Sequence, residues 1–281
     1  MSSHVKIISI GDYYDEDIIY DHKIISSPNK YTFPSHSHDM CEFIYFVSGE
    51  ASYYIEGNVY TLSAGDLVFI RSAKHHMLVV GGGADYERYV LMFSRALLPE
   101  AFYEKTKEAI EVVNITDTLL VKALFRAADV YYTSSTVGKS EYQAFLRALT
   151  TSVGCEFIHH AGKSASKGGE NSFTGNETFH QALMYINKNL HSLKNIDEVC
   201  ERLYITKRYL HYLFKSNLGI TPKKYITEKR LLIARREIRS GKSLTEAYRA
   251  AGFTDYTSFY RNYKAYFGHS PSDENRKNDS E

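Results

Sequence analysis

The spacing of hydrophobic residues separates a first half made of short runs from a last third with helical periodicity. Between residues 42 and 93, short β-branched and aromatic runs alternate with turn residues such as Gly49, Gly57 and Gly65. Strands this short, at such regular intervals, are typical of a small antiparallel sandwich or barrel. The predicted strands cover 43–47, 51–55, 59–62, 67–70, 77–80 and 89–93.

Weaker patterns flank these strands. The acidic, Tyr-rich residues 1–32 predict an arm followed by one or two strands that include Ile24 and Ile25. After residue 95, apolar residues recur every three or four positions, which predicts helices over 109–113, 119–130 and 142–158. These helices form a dimer interface or pack against their own barrel. Residues 161–176 are rich in Gly, Ser and Lys without apolar periodicity, so we predict a flexible linker.

The last third predicts two helix-turn-helix units joined by a long helix over 222–240. A first amphipathic helix covers 177–190, and the segment 218–222 reappears at 267–271, 49 residues later. Because the helix before each copy repeats in step, the second unit repeats the first. Four residues are predicted to cap the short helices: Asn195, Thr206, Ser243 and Asp255.

The second helix of each unit has an apolar face and an outward polar face. At 100° per residue, Leu210, Leu213 and Phe214 share one side of the first helix, as Phe259 and Tyr263 do in the second. The remaining side chains are cationic or hydrogen-bonding, as a helix that enters the major groove of DNA requires. They are Arg208, His211, Tyr212 and Lys215, and then Thr257, Ser258, Arg261 and Lys264.

The net charge of +1 conceals a difference between the two halves of the chain. Residues 1–175 contain 15 Lys and Arg against 21 Asp and Glu, a net charge of −6, whereas residues 176–281 contain 19 against 12, a net charge of +7. A basic half joined to an acidic half indicates a polyanionic partner for the basic half.

Composition limits the compartment. The N-terminal sequence lacks the pattern of a signal peptide, and no apolar run approaches the roughly 18 residues of a membrane span. The scattered Cys41, Cys155 and Cys200 give neither a disulfide framework nor a zinc-site spacing. We therefore expect a cytoplasmic protein with no membrane partner.

A spacing of potential metal ligands lies on the predicted strands. His36, His38 and Glu42 precede Gly49 in one motif, and His76 closes a second motif that begins at Gly65. The two motifs resemble those of the cupin superfamily, a small β-barrel. The second motif departs from the family pattern at three positions, Arg71, Ala73 and Val80.

In metal-binding cupins the residues that match His36, His38, Glu42 and His76 converge as ligands inside the barrel. Such a donor set suits divalent Mn, Fe, Ni or Zn. Three interpretations stay open: a metal-dependent enzyme, a sensing barrel in which the four residues orient a small molecule with or without a metal, and a structural role at the barrel mouth. We predict the effector pocket of a sensing barrel, with no catalytic residue and no resident cofactor assigned; the neighbouring His75 leaves the fourth position ambiguous.

The C-terminal third carries a more specific set of motifs. Its motif residues are Leu213-Phe214-Lys215, Gly219-x-x-Pro222, Tyr225, Arg230, Ala234, Gly252-Phe253, Ser258-Phe259, Lys264, Phe267-Gly268 and Ser270-Pro271. On these residues, 177–271 resembles the DNA-binding domain of the AraC/XylS family of transcriptional regulators, and the cupin-like half fits the family's sensor domain.

The resemblance implies two recognition helices that enter successive major grooves. Arg208, His211 and Tyr212 fall on base-reading positions of the first helix, and those of the second are Thr257, Ser258 and Arg261. Phosphate contacts are expected from Thr206, Lys207, Lys215 and Lys264. The family pattern is broken at Ala247-Tyr248, which replaces an Ile-Ala pair, and at Tyr263, which replaces Phe. Because Tyr248 is bulky, we expect altered packing in the second unit and more base reading by the first.

The complete prediction is an α+β protein. A cupin-like β-barrel with trailing helices occupies 1–160, a linker 161–176, an all-α, homeodomain-like double helix-turn-helix domain 177–271, and a polar tail 272–281. The predicted function is a sequence-specific transcriptional regulator, an activator by resemblance, whose small-molecule effector is best guessed as a sugar. The predicted partners are double-stranded promoter DNA, RNA polymerase, the effector and a second copy in a homodimer. The alternatives are a cupin metalloenzyme with an accessory nucleic-acid-binding domain and a constitutive architectural DNA-binding protein.

Overall fold

The structure is a computed structural model that describes residues 6–26, 31–106, 111–163 and 177–274. The described chain forms two compact units: a β-rich unit that contains the described residues up to 34 and from 40 to 163, and a helical unit of residues 177–274 with which the short segment Ser35–Asp39 is grouped. Each unit is described by itself.

The β-rich unit contains two sheets. Its strands are β1 (Lys6–Tyr14), β2 (Ile18–Ser26), β3 (Tyr31–His36), β4 (Cys41–Ser48), β5 (Ala51–Ile55), β6 (Asn58–Thr61), β7 (Asp66–Ile70), β8 (His76–Val80), β9 (Tyr86–Phe93) and β10 (Val112–Asn114). The larger sheet has the order β1-β2-β9-β4-β7-β10, and the smaller has β3-β8-β5-β6. The six predicted strands are confirmed as β4 to β9, and the two strands of the acidic lead as β1 and β2.

The larger sheet is covered on both faces. On β9, Tyr86 and Val90 pack with residues of the smaller sheet, whereas Tyr89, Leu91 and Phe93 pack with residues of the helices. A strand buried on both faces needs apolar residues at nearly every position, which explains the continuous hydrophobic runs of β4 and β9. The face toward the smaller sheet is called the interior face below.

Among the described residues of this unit, three α-helices accompany the sheets, namely α1 (Glu100–Lys105), α2 (Leu120–Tyr132) and α3 (Lys139–Lys163), together with a short 3-10 helix at Arg95–Leu97. Helices α2 and α3 confirm the predicted helices over 119–130 and 142–158, and α1 was not predicted. Phe125 of α2 and Phe157 of α3 join the buried cluster that contains Phe43 of β4. Of the two alternatives for these helices, a dimer interface or packing against their own barrel, the second is therefore observed on the buried side of α2 and α3.

Two sequence predictions need correction in this unit. The predicted helix over 109–113 is wrong at Val112 and Val113, which pair as β10 with Val68 and Leu67 of β7. A run of five residues does not distinguish a helical turn from a buried edge strand, and sheet pairing decides the outcome here. The linker prediction is wrong at its start, because α3 continues to Lys163. The rest of the predicted linker lies outside the described residues.

The helical unit contains two small cores joined by one long helix. Its helices are α4 (Glu177–Asn189), α5 (Asp197–Leu203), α6 (Lys207–Leu218), α7 (Pro222–Arg239), α8 (Leu244–Ala250) and α9 (Tyr256–Phe267). Tyr225 and Ile226 of α7 belong to the core with α4, α5 and α6, whereas Leu231, Ala234 and Ile238 belong to the core with α8 and α9. The prediction that this helix joins the two units is confirmed.

The predicted caps form in three of four cases. Thr206 accepts from the Tyr209 amide at 3.2 Å, Asp255 accepts from the Thr257 and Ser258 amides, and Ser243 forms a capping box with Glu246. The Asn195 prediction is wrong by one position, because α5 has Ile196 at its N-cap. Asn195 still accepts a hydrogen bond from the Asp197 amide at 2.8 Å, so its side chain satisfies a donor of the first turn.

The helical unit extends beyond the predicted boundary at 271. A short 3-10 turn covers Pro271–Asp273, and Glu274 after it is buried. Its carboxylate accepts hydrogen bonds from Tyr263 and from Arg235 and Arg239 of α7. The first residues of the predicted polar tail therefore belong to the second core. Among the described residues, no helix is long and apolar enough to cross a membrane.

Candidate nucleic-acid interface

The first helix-turn-helix consists of α5 and α6, and its turn contains an unusual residue. Tyr204 adopts the left-handed conformation, with φ 53°, while its side chain is 94% exposed. The following Ile205 amide donates to the Cys200 carbonyl at 3.0 Å, which closes the turn before Thr206 caps α6. Leu210, Leu213 and Phe214 then bury the inner side of α6.

The second helix-turn-helix consists of α8 and α9 and closes its turn in the same way. The Phe253 amide donates to the Tyr248 carbonyl at 3.0 Å, and the left-handed residue is Gly252, with φ +89°. A Cβ at Gly252 would lie 2.7 Å from the His191 carbonyl oxygen, so only glycine fits.

The second unit keeps its caps and its turn around Tyr248. The ring is buried against Phe259 of α9, with ring centroids 5.8 Å apart, and contacts Tyr256 in an edge arrangement. The neighbouring Ala247 and Ala251 are fully buried and leave room for it. Tyr248 is therefore accommodated within the second core, and the altered packing expected there stays a prediction.

The outer side of α6 presents the predicted base-reading residues together. Arg208 and Tyr212 are exposed and His211 is half-buried, all on the side opposite the buried Leu210, Leu213 and Phe214. An arginine can donate a bidentate pair of hydrogen bonds to guanine, and tyrosine and histidine can reach several base edges.

The outer side of α9 has a different composition. Thr257 and Arg261 are exposed, and Ser258 is half-buried beside Asn262, whose amide donates to the Ser258 carbonyl. The Asp255 carboxylate holds the first turn of α9 through two backbone amides. The outer side of α9 thus offers one guanidinium and two hydroxyl groups to base edges. By comparison, α6 offers one guanidinium, one imidazole and one phenol.

The structure adds a residue that the sequence interpretation omitted. Tyr209 is 38% exposed, and its ring is stacked near Tyr212 with centroids 6.3 Å apart. The two rings give the start of α6 an aromatic surface beside Arg208. The signal was available in the sequence, because Tyr209 occupies the position of Ser258 in the 49-residue repeat.

The predicted phosphate contacts lie at the two ends of the recognition helices. Lys215 and Lys264 are exposed in the last turns of α6 and α9, and the C-cap amides of Gly219 and Gly268 donate to their carbonyls. Lys207 is exposed at the start of α6, where its ammonium lies 2.5 Å from the Asp197 carboxylate. A hydrogen bond to this carboxylate raises the pKa of Lys207, so a phosphate would compete with Asp197 for it.

Two of the four predicted pocket residues are paired in the β-rich unit, where His76 Nε2 lies 3.4 Å from a Glu42 carboxylate oxygen. His36 and His38 belong to the segment that is grouped with the helical unit, and their ring centroids lie 5.9 Å apart. The convergence of all four residues stays a prediction. Imidazole and carboxylate groups are donors that a divalent Zn, Fe, Mn or Ni ion accepts.

Two family models match the chain. The Helix-turn-helix domain matches residues 199–277, and the Cupin domain matches residues 24–87. The first match covers both helix-turn-helix units, and the second covers strands from β2 to β9.

Full-length relatives and solved structures are also similar to this chain. It is 25% identical over 277 residues to the HTH-type transcriptional activator RhaS of Yersinia pestis (strain Pestoides F), with 86% of this chain and 88% of the relative covered. The crystal structure of the AraC-like transcriptional activator CuxR is 17% identical with a TM-score of 0.42, covering 85% of this chain and 83% of that chain. An apo structure of ToxT from Vibrio cholerae strain SCE256 is 11% identical with a TM-score of 0.41, covering 92% and 97%.

Proposed function

The chain belongs to the AraC/XylS family of transcriptional regulators, and from that premise we propose that it activates transcription at promoters read by α6 and α9. The named function of its relative RhaS, a transcriptional activator, supports the direction of regulation. The double-stranded promoter DNA is the partner of the basic helical unit, and RNA polymerase is the partner that activation requires.

The observation that best supports this proposal is that α6 and α9, the second helices of the two units, are each capped at both ends. Thr206 and Asp255 start α6 and α9, Gly219 and Gly268 end them, and the buried faces of both helices pack toward α7. Each helix is thereby held by its inner side while its cationic and hydroxyl side chains stay exposed. This arrangement suits base reading by the six outward residues and phosphate binding by Thr206, Lys207, Lys215 and Lys264.

We also propose that the β-rich unit receives a small-molecule effector between its two sheets. The support is the polar pair of His76 and Glu42 at an otherwise apolar interior. Small-molecule sites are mostly apolar with a few converging polar groups. A sugar fits the hydrogen-bonding capacity of these side chains.

A homodimer is proposed through α2. Leu119, Leu120, Val130 and Tyr131 are exposed at 39% to 78%. Positions eleven residues apart return to the same side of a helix, so Leu120 and Tyr131 share one side, as Leu119 and Val130 do. An apolar stripe on a helix whose other side is buried suits a symmetric contact with a second copy.

Genome-wide mapping of bound sites tests the regulatory proposal, followed by footprinting of the strongest sites. We expect few sites, each with two protected half-sites on one face of the DNA. Binding spread evenly along the chromosome would favour the architectural alternative instead. The genes beside the bound sites also indicate which compounds to test as effectors.

A second candidate function rests on the His76 and Glu42 pair and on the predicted convergence of His36 and His38 with it. If these residues hold a divalent metal, the chain has the donor set of a metal-dependent enzyme, and a bound metal would act there as a Lewis acid. Metal analysis of the purified protein separates the candidates. Protein without bound metal, whose DNA binding is unchanged by a chelator, would end the enzyme hypothesis.

A further inference from the structure

A polar cluster around Arg88 lies on the interior face of the larger sheet. Arg88 of β9 lies between Tyr86 and Val90, both of which pack toward the smaller sheet, so strand alternation places Arg88 on the same face. The register sets Phe46 of β4 opposite Arg88 and Glu42 opposite Met92. Four residues along the strand, roughly 13 Å, therefore separate the backbone positions of Arg88 and Met92.

The Arg88 guanidinium is buried without the hydrogen bonds that burial demands. The residue is 9% exposed, and its Nε and Nη1 atoms have no hydrogen-bond partner among the described residues. Its Cζ lies 5.2 Å from the Phe33 ring centroid and 5.6 Å from that of Tyr86. The buried Tyr86 hydroxyl is also without a partner in the described chain. Burial raises the pKa of Tyr86, so the phenol is protonated and can donate.

The carboxylates near Arg88 leave its hydrogen bonds unsatisfied. Asp21 lies 3.9 Å from Arg88 Nη2 and is shared with Lys23, whose ammonium lies 2.9 Å from it. The Glu42 carboxylate acts on Arg88 through its charge, but Nε and Nη1 of Arg88 remain without an acceptor among the described residues. Buried donors without acceptors are costly, so a position like this persists where a ligand supplies the missing acceptor.

Other partly buried arginines of the molecule form hydrogen bonds of the kind that Arg88 lacks. Arg230 donates through Nε and Nη2 to the Leu190 and Leu193 carbonyls. Arg71 donates to the Thr106 carbonyl, and Arg235 donates to the Glu274 carboxylate. Each of these guanidinium groups bonds to a protein oxygen that holds it in the fold, whereas two of the three nitrogens of Arg88 have none within the described residues.

We propose that Arg88 anchors the negative charge of a small organic carboxylate that binds between the two sheets, with the Tyr86 hydroxyl as a second donor. The inference rests on the proposed effector function and narrows the effector from any sugar to an acid, such as a sugar acid or hydroxy acid. A carboxylate offers two acceptor oxygens to the Nε and Nη1 donors, and charge-assisted hydrogen bonds from a guanidinium are the strong ones.

The test is thermal unfolding of the full-length protein at equal ionic strength in chloride, acetate, lactate, galacturonate and phosphate, with galactose as the neutral counterpart of galacturonate. Carboxylates should raise the midpoint above the chloride value, and galacturonate should raise it more than galactose. Arg88→Met should abolish the rise of the midpoint in carboxylates and, in chloride, should melt no lower than the wild type, because it removes two buried donors that lack acceptors. Arg71→Met is the matched control. It should melt lower in chloride and retain the rise in carboxylates.

Arg88→Gln keeps a polar side chain if the Met variant does not fold, and it should bind galacturonate about 10- to 100-fold more weakly. The inference is overturned if no carboxylate raises the wild-type midpoint, if galactose or phosphate matches galacturonate, or if Arg88→Met melts as low as Arg71→Met. DNA binding is measured separately by footprinting of the wild type. If the wild type does not bind DNA but carboxylates still raise its unfolding midpoint, the proposed function is refuted and this inference stands.

Discussion

The two helix-turn-helix units close their turns with the same backbone hydrogen bond, although different side chains surround it. The turn amides of Ile205 and Phe253 bond to the carbonyls of Cys200 and Tyr248, so Cys200 and Tyr248 are structural equivalents at an offset of 48. Both are 8% exposed. The recognition helices are instead aligned at an offset of 49, as the caps Thr206 and Asp255 show, because the second turn is one residue longer.

The cores compensate for the difference in size. Tyr248 is flanked by Ala247 and Ala251, whereas Cys200 is flanked by Val199 and Leu203 at the equivalent positions. One large ring with two methyl groups replaces three side chains of medium size. Cores tolerate such exchanges when total volume is kept. The family motif can therefore break at one position without loss of the turn.

The largest predicted effect concerns the turn of the second unit. Gly252→Ala should lower the free energy of unfolding by about 2–4 kcal/mol, because a Cβ would meet the His191 carbonyl oxygen at 2.7 Å and the backbone is left-handed. Denaturant unfolding followed by circular dichroism measures it.

Gly219→Ala is the matched control for this prediction. Gly219 is also left-handed, with φ +69°, but no atom lies within 4 Å of the position that a Cβ would take there, so only the conformational cost of about 1 kcal/mol remains. Equal losses in the two variants would contradict the argument from close approach.

The second prediction separates the cores by their response to acid. Burial acts to raise the pKa of Glu274, but hydrogen bonds from Tyr263 and Arg235 outweigh it and hold the pKa below the ordinary 4.5. A carboxyl group with a lowered pKa stabilises the fold above its ordinary pKa, and that contribution disappears as the pH falls below about 4.5. In the first core, Tyr225 instead donates to the neutral Asn187 side chain at 3.0 Å.

Glu274→Gln should therefore cost about 2 kcal/mol at neutral pH and flatten the loss of stability between pH 5 and pH 3. Unfolding across that range provides the measurement. Glu201→Gln, on an exposed helix surface, should change stability by no more than about 0.5 kcal/mol. The same acid response in the wild type and in Glu274→Gln would remove Glu274 as its source.

The third prediction compares base reading by the two recognition helices. Arg208→Ala should weaken binding to a mapped site by about 1–3 kcal/mol and relax specificity at one base position. Arg261→Ala should have a smaller effect, because Arg208 acts beside the aromatic pair Tyr209 and Tyr212. Binding to a library of site variants distinguishes them. Uniform weakening across all sequences would make Arg208 a phosphate contact.

The smallest effects are expected at the ends of the recognition helices. Lys215→Ala and Lys264→Ala should each weaken binding to all sequences alike and reduce the slope of log affinity against log salt by about 1. Fluorescence anisotropy at several salt concentrations is sufficient. An unchanged slope in either variant would exclude that lysine from the phosphate contacts.

The sequence predicted the helical unit better than the β-rich unit, for a physical reason. Caps such as Thr206 and Asp255 and the buried stripe of α6 depend on residues close together in the chain. By contrast, β10 depends on pairing with β7, more than 40 residues earlier in sequence, and its two valines give no helical or strand period. The candidate sites show the same difference. The outward residues of α6 followed from periodicity, whereas the buried Arg88, with two nitrogens that lack acceptors, became evident only from the packing of two sheets.

Helix α7 has a consequence for the DNA rather than for the protein. Its 18 residues form one continuous rod of about 27 Å, and both cores use its side chains, so neither helix-turn-helix can shift without the other. Each base pair inserted between two half-sites rotates one of them by roughly 34–36° about the DNA axis. We expect the promoters of this regulator to keep a fixed spacer length while the bases within the spacer vary freely.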